Sequence, residues 1–330
     1  MPDPYFLLPW DVSHWMDLAM VELREQSESS EFIKLLIKRS NRLHTMFGRG
    51  RGHAEYKGFA KILGLKALET VTYATTRFTS SAFDQWEKIY VSYKALVTSF
   101  IQNREDEEDE CEETKYQVRG QDYAIDLCGM IDVLKPAVTL MIKSQALSVP
   151  PWKIVAWFPR VTALLKRIED VLQQLQIGEV PIPDKNLVPK LAKHWAELTR
   201  EKIEDCTFQE IEVYPGWMVV DERTEQDEAT TGGRGRRQKK KKTITWNARS
   251  PEDCLEDLLK LSQQLRITLT SRYDNIATDS ITKLERIFDI ESLVRQLCVF
   301  SFENERIRVS REGRQRWDLR GKAEFADFFG

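Results

Sequence analysis

The chain has 330 residues, 42% of them hydrophobic and 31% charged, and its formal net charge is only −3. That composition suits a globular protein with a highly charged surface, long enough to bury one large core or two ordinary ones. No run of eighteen apolar residues occurs, which excludes a membrane-spanning helix, and the five cysteines include no CxxC pair, which argues against a zinc site or a disulfide framework.

The opening decapeptide MPDPYFLLPW lacks a basic leader and a small-residue cleavage site, so it is not expected to be a secretory signal. From Pro9 onward Val12, Trp15, Met16, Ala19 and Leu23 recur at helical spacing and form one apolar stripe. Asp11 and His14 are three apart and share another face, where they can act in one site. His14 has two readings. It hydrogen-bonds to a neighbour while Trp10 and Trp15 pack, or it contacts a scissile phosphate or supports a metal-binding carboxylate.

A second helix is expected from about Phe32 to Phe47, followed by FGRGRG as a flexible basic loop. The segment Glu69–Phe78, ETVTYATTRF, is rich in β-branched residues and alternates, so it is the best strand candidate of the first hundred residues. Arg77 would then end a strand just before a helix. The helix that follows carries Phe83, Trp86, Tyr90, Tyr93, Val97 and Phe100 on one face. The Arg77 guanidinium fork suits either water, a phosphate or a buried carboxylate.

Eight acids in nine positions, EDEEDECEE at Glu105–Glu113, predict a solvated loop. Helices are then expected over Tyr123–Leu147, Trp152–Leu175 and Leu187–Ile203. His194 is read as helix surface, and His44 and His53 as surface residues. The stretch CTFQEIEVYPGWMVV alternates about a Pro215–Gly216 turn, which predicts a small hairpin or arm. The run RGRRQKKKK holds seven bases in nine positions: Arg234, Arg236, Arg237, Lys239, Lys240, Lys241 and Lys242. It reads as a nuclear import signal or an arm on nucleic-acid phosphates, against a solvated loop balanced by the nearby DERTEQDE. Phosphate contact would position the chain on nucleic acid without reading bases. From Pro251 two further helices are expected, then a polar tail.

The expected fold is mainly α with a small β portion. No GxSxG, Walker loop, HExxH or GxGxxG after a strand is present. Three segments, WDVSHWMDLAM, IKRSNRLHTMFGRG and TYATTRFTSSAFDQWEKIYVSY, taken together resemble the central region of hAT-superfamily transposases and of host proteins derived from them. In that family a Cys/Asp-x-x-His motif precedes a strand ending in Arg-Trp. Asp11–His14 matches the first motif, and Thr76-Arg77-Phe78 the second, with phenylalanine in place of tryptophan. The likeness covers roughly residues 5–300.

The resemblance implies a partial RNase H-like core interrupted by a long α-helical insertion. Residues 1–103 would be the RNase H-like region, 104–118 an acidic loop, and 119–205 the helical insertion domain. Residues 206–250 would form a hairpin or arm with the basic loop, and 251–330 the C-terminal helices and tail. It implies Asp11, His14 and Arg77 as remnant motif positions. Two of the three metal-binding acids of the family are expected before the first motif, and Glu285 and Glu291 match the third by position only. Mg²⁺ would be the cofactor of a complete transposase; this chain as it stands implies none. The reading is a nuclear, transposase-derived protein that binds DNA, a protein partner or a second copy of itself, with no membrane and no small-molecule cofactor, and lacks independent DNA cleavage. The alternatives are a 5′-truncated form of an active transposase and a helical interaction scaffold with no nucleic-acid role.

Overall fold

The computed structural model describes residues 12–26, 30–69, 78–103, 117–144, 151–178, 182, 184–200, 206–214, 218–219, 245–246 and 248–284. Its helices are α1 (Val12–Gln26), α2 (Ser30–Phe47), α3 (Gly50–Ile62), α4 (Phe78–Asn103), α5 (Gln121–Ser144), α6 (Pro151–Gln176), α7 (Pro189–Leu198) and α8 (Pro251–Leu284). Two antiparallel ladders complete it, β1 (Thr207–Phe208) with β2 (Ile211–Glu212) and β3 (Met218–Val219) with β4 (Thr245–Trp246). The protein is therefore mainly helical, as its sequence predicts.

Helix α5 is the centre. Its residues from Gln121 to Leu134 are all buried, and α1, α2, α4, α6, α7 and α8 pack around it. A helix apolar on all sides has no solvent face to offer and must be enclosed. Around it the neighbours present single stripes: Trp86, Ile89, Tyr93, Leu96 and Phe100 on α4, and Leu255, Leu258, Leu261, Leu265 and Leu269 on α8. The apolar cluster is continuous from Ala19 to Leu269, through the segments 1–103, 119–205 and 251–330. Helix α8 starts with a reciprocal cap. The Asp253 amide donates to Ser250 Oγ at 3.1 Å, and Ser250 Oγ donates to Asp253 Oδ2 at 2.8 Å. Pro251 fills the first helical position, where its missing N–H costs nothing.

Three expectations need correction. The glycine–arginine stretch is not a loop beyond Arg49: Gly50 starts α3, and Gly52 is buried in it. Glycine breaks the local pattern, but Tyr56 and Ala60, both buried, draw the segment onto the core. The helix expected over Leu187–Ile203 is shorter, Pro189–Leu198. The helices expected after Pro251 are one continuous helix to Leu284. A hairpin turns at Gln209–Glu210, where Phe208 pairs with Ile211, while the turn expected at Pro215–Gly216 lies outside the described residues. Of the strand expected at Glu69–Phe78, residues 70–77 lie outside the described residues; Glu69 is irregular and Phe78 opens α4.

Two packing features are testable. A Cβ on Gly129 would come within 2.2 Å of Leu258 Cδ1, and Leu258 is fully buried. Gly129→Ala should therefore lower stability by about 1–3 kcal/mol, read as a fall in Tm, and Leu258→Ala should recover part of the loss. The second feature is Asp132, whose Oδ2 accepts the backbone amides of Lys190 and Leu191, both at 2.9 Å, and so caps α7 from the side of α5. Burial pushes its pKa up to about 7, against the Leu191 amide and Lys190. A carboxyl that binds its proton more tightly when folded contributes stability fully below its unfolded value, roughly pH 3.9. That contribution is lost as pH rises through about 7. In Asp132→Asn, Tm at pH 8 should equal or exceed the parent's, and part of the decline between pH 4 and pH 8 should vanish. A profile parallel to the parent's would refute the assignment.

Candidate functional site

The basic run lies in the segment 220–244, outside the described residues, as do Arg234, Arg236, Arg237, Lys239, Lys240, Lys241 and Lys242. Its two feet are described. The β3–β4 ladder pairs Met218 with Trp246 and Val219 with Thr245, so the ends of the segment meet. On the upstream side the Gln121 amide donates to the Tyr214 carbonyl at 3.0 Å, and the Tyr214 amide to the Arg119 carbonyl at 2.8 Å. The Arg119 guanidinium lies over the Tyr214 ring at 4.4 Å and donates to Glu212. On the downstream side Arg249 donates to Asp126 of α5 and to Asp257 of α8. Both feet are thus fixed to the first turns of the central helix.

Asp126 is completely buried. Burial pushes its pKa up to about 7, opposed by Arg249. Burial also works against the charge of Arg249, but Asp126, with smaller contributions from Cys254, Asp257 and Asp122, holds its pKa above the ordinary value. One turn earlier, Arg39 of α2 donates through both terminal nitrogens to Asp122 Oδ2 at 3.1 Å. Beside them Ser40 Oγ and Tyr123 Oη are 3.4 Å apart. Arg249 also sits over the Phe32 ring at 5.5 Å. The downstream foot therefore rests where α2, α5 and α8 meet.

Asp11 and Arg77 lie outside the described residues, and so do Glu285 and Glu291. Of His14 only the backbone is described, within the first turn of α1. Helix α4 begins at Phe78, immediately after Arg77, and α1 packs against α4. Among the described residues, no group of three or more His, Cys, Asp or Glu side chains could hold a metal ion, and no helix is long and apolar enough to cross a membrane.

A third feature escapes the sequence reading. Tyr90 and Lys94 of α4, Lys193 and His194 of α7, and the Gln209–Glu210 turn line a cleft of about 420 Å³. His194 is not helix surface: it is 4% exposed, with Nε2 3.0 Å from the Tyr90 hydroxyl and its ring 4.8 Å edge-on from Phe208. It occupies the buried stripe of α7 with Leu191, Trp195 and Leu198, and that helical spacing was the signal to read. Burial pushes His194 down to about 4, with a further push from Lys193, and burial raises Tyr90 above its ordinary value. The Tyr90 hydroxyl and the His194 ring thus form one hydrogen-bonded pair in the wall of the cleft. Gln209 and Glu210 both have positive φ, 50° and 66°, a left-handed conformation that costs a non-glycine residue about 1–2 kcal/mol. Gln209 Nε2 donates to the Tyr90 carbonyl at 2.8 Å, and Glu210 pairs with Lys94. These contacts hold the tight two-residue turn against α4.

Removing one partner of a buried ion pair leaves the other charge stranded, at about 3–5 kcal/mol. Arg249→Ala should therefore unfold at markedly lower denaturant than the parent, and Arg249→Met combined with Asp126→Leu should regain most of the difference. Equal stability of the single variant and the parent would show that the downstream foot is not anchored by this pair. A scan against models of protein families, a search of curated proteins and a search of solved structures each find no match to this chain.

Proposed function

We propose that this chain is a nuclear protein derived from a hAT-superfamily transposase, which binds duplex DNA through its basic loop and does not cleave DNA on its own. The observation that carries the DNA half is the clamping of both ends of the segment 220–244 onto α5, through Tyr214 on one side and Arg249 on the other. A run of seven bases offered from a fixed base loses less freedom on meeting phosphates than one on a free tail. The order Asp-x-x-His, helix, Thr-Arg-Phe, helix supports the family half, with α1 opening at Val12 and α4 at Phe78. In this reading residues 1–103 carry the remnant of an RNase H-like core, and 119–205 the helical insertion. The matched residues supply a histidine and a guanidinium, groups that position phosphates, which suits binding rather than metal-assisted cutting. Nuclear import would use the same basic run.

A second reading, a scaffold for another protein or a second copy of the chain, is favoured by the exposed isoleucines Ile62, Ile142, Ile177 and Ile267. Fluorescence anisotropy with a random-sequence duplex across a salt series separates the two. Binding should weaken linearly in log salt, with a slope of about −0.9 per phosphate neutralised. Replacing Lys239, Lys240, Lys241 and Lys242 by alanine should reduce that slope by about 3–4. Salt-insensitive binding, or none at low salt, favours the scaffold. Strand cutting by the pure protein in Mg²⁺ favours an active transposase.

A further inference from the structure

The basic loop is not where the described fold concentrates positive charge. Between Phe32 and Lys61 the chain carries eight lysines and arginines and one acid, Glu55, in a protein whose net charge is −3. Arg39 is spent inside, on Asp122. The others lie along α2 and α3, two helices joined by the short link Gly48–Arg49. Lys34 and Lys38 are exposed on α2, where Lys34 pairs with Glu31 at 3.2 Å in the first turn. On α3, Arg51, Lys57 and Lys61 are exposed; Arg51 pairs with Glu55 at 2.5 Å, while Lys57 and Lys61 have no acidic partner among the described residues.

The residues between those cations are unusual. At 100° per residue the exposed face of α3 centres on Ala54 and Gly58, with Lys57 and Lys61 to one side and Arg51 to the other. A Cβ on Gly58 would meet nothing within 4 Å, so no packing contact calls for glycine there. Yet glycine in an exposed helix interior costs about 0.8–1.0 kcal/mol relative to alanine. A low ridge between cations lets a bulky chain of phosphates approach the helix backbone. The face holds no aromatic ring, whereas single-strand binders stack bases on aromatic platforms. Its chemistry therefore fits the backbone of a duplex.

We infer that the exposed face of α3, extended by Lys34 and Lys38 of α2, is a second contact surface for duplex DNA phosphates, separate from the basic loop. This rests on the nucleic-acid reading above, but not on the loop. The upstream end of α2 lies beside the downstream foot of the loop, where Arg249 covers Phe32.

The test uses the full chain in two backgrounds, unaltered and with the seven bases of the loop changed to alanine. Anisotropy is read with a random duplex, the same sequence single-stranded, and duplex RNA. The loop-neutralised protein should still bind the duplex, with a salt slope of at least about −2. Lys57→Ala with Lys61→Ala should lower the slope by about 1.8 in either background. Gly58→Leu, chosen to block close approach, should weaken duplex binding several-fold with Tm unchanged. Gly58→Ala should raise Tm and weaken binding less. If the lysine pair and Gly58→Leu leave binding at the parent's value while loop neutralisation abolishes it, the α3 surface is refuted and the loop reading stands. Failure of the unaltered chain to bind any duplex at low salt refutes both. Tighter binding of single strands or of duplex RNA than of duplex DNA refutes the assignment of the partner.

Discussion

A helix enclosed on every side ought to be free of charge, yet α5 carries Asp122, Asp126 and Asp132 within its buried stretch. Taking a carboxylate out of water is expensive unless a partner is supplied in the right geometry. Each of the three is met from a different part of the chain: Asp122 by Arg39 of α2, Asp126 by Arg249 ahead of α8, and Asp132 by the opening amides of α7. The apolar stripes would tolerate some sliding of one helix along another. The charges would not, since a shift of one turn strands an acid inside the core. The arrangement of α2, α7 and α8 about α5 is thus fixed by three polar contacts, with apolar burial supplying the bulk of the driving force.

Much of the helical framework was legible. The aromatic stripe of α4 and the apolar periodicity after Pro251 are strong local signals, and a helix formed on each, although α4 opens as early as Phe78 and the two helices expected after Pro251 run on as one. What escaped were features settled by distant partners. Helix α3 begins in a glycine-rich stretch that local propensity rejects, and it forms because Tyr56 is buried and its hydroxyl exchanges hydrogen bonds with the Leu68 backbone. The hairpin turn fell at Gln209–Glu210, residues that no turn preference selects. Their side chains find Tyr90 and Lys94, both more than a hundred positions earlier.

The same distinction governs the sites. The basic run announces itself by composition, but the clamping of its feet depends on a pair separated by 123 positions. The sequence does hold a hint: aspartates set in the apolar stretch YAIDLCGMIDVL can only be buried and partnered. His194 lay on the apolar stripe of an amphipathic helix, a placement that periodicity gives and residue type obscures. For Asp11 and Arg77, a resemblance is the reading that places them, and residue chemistry alone leaves each two roles.

The distance between Asp126 and Arg249 has a consequence for biogenesis. A ribosome adds about 5–20 residues per second, so the central helix is made roughly 6–25 s before the guanidinium that matches its buried acid emerges. Until then the N-terminal helices can gather, but they gather around an unmatched charge, and the groove that α8 will fill stays open to water. Closure waits for Arg249 and α8, and a nascent chain halted before Arg249 would be a substrate for chaperones rather than a smaller folded unit.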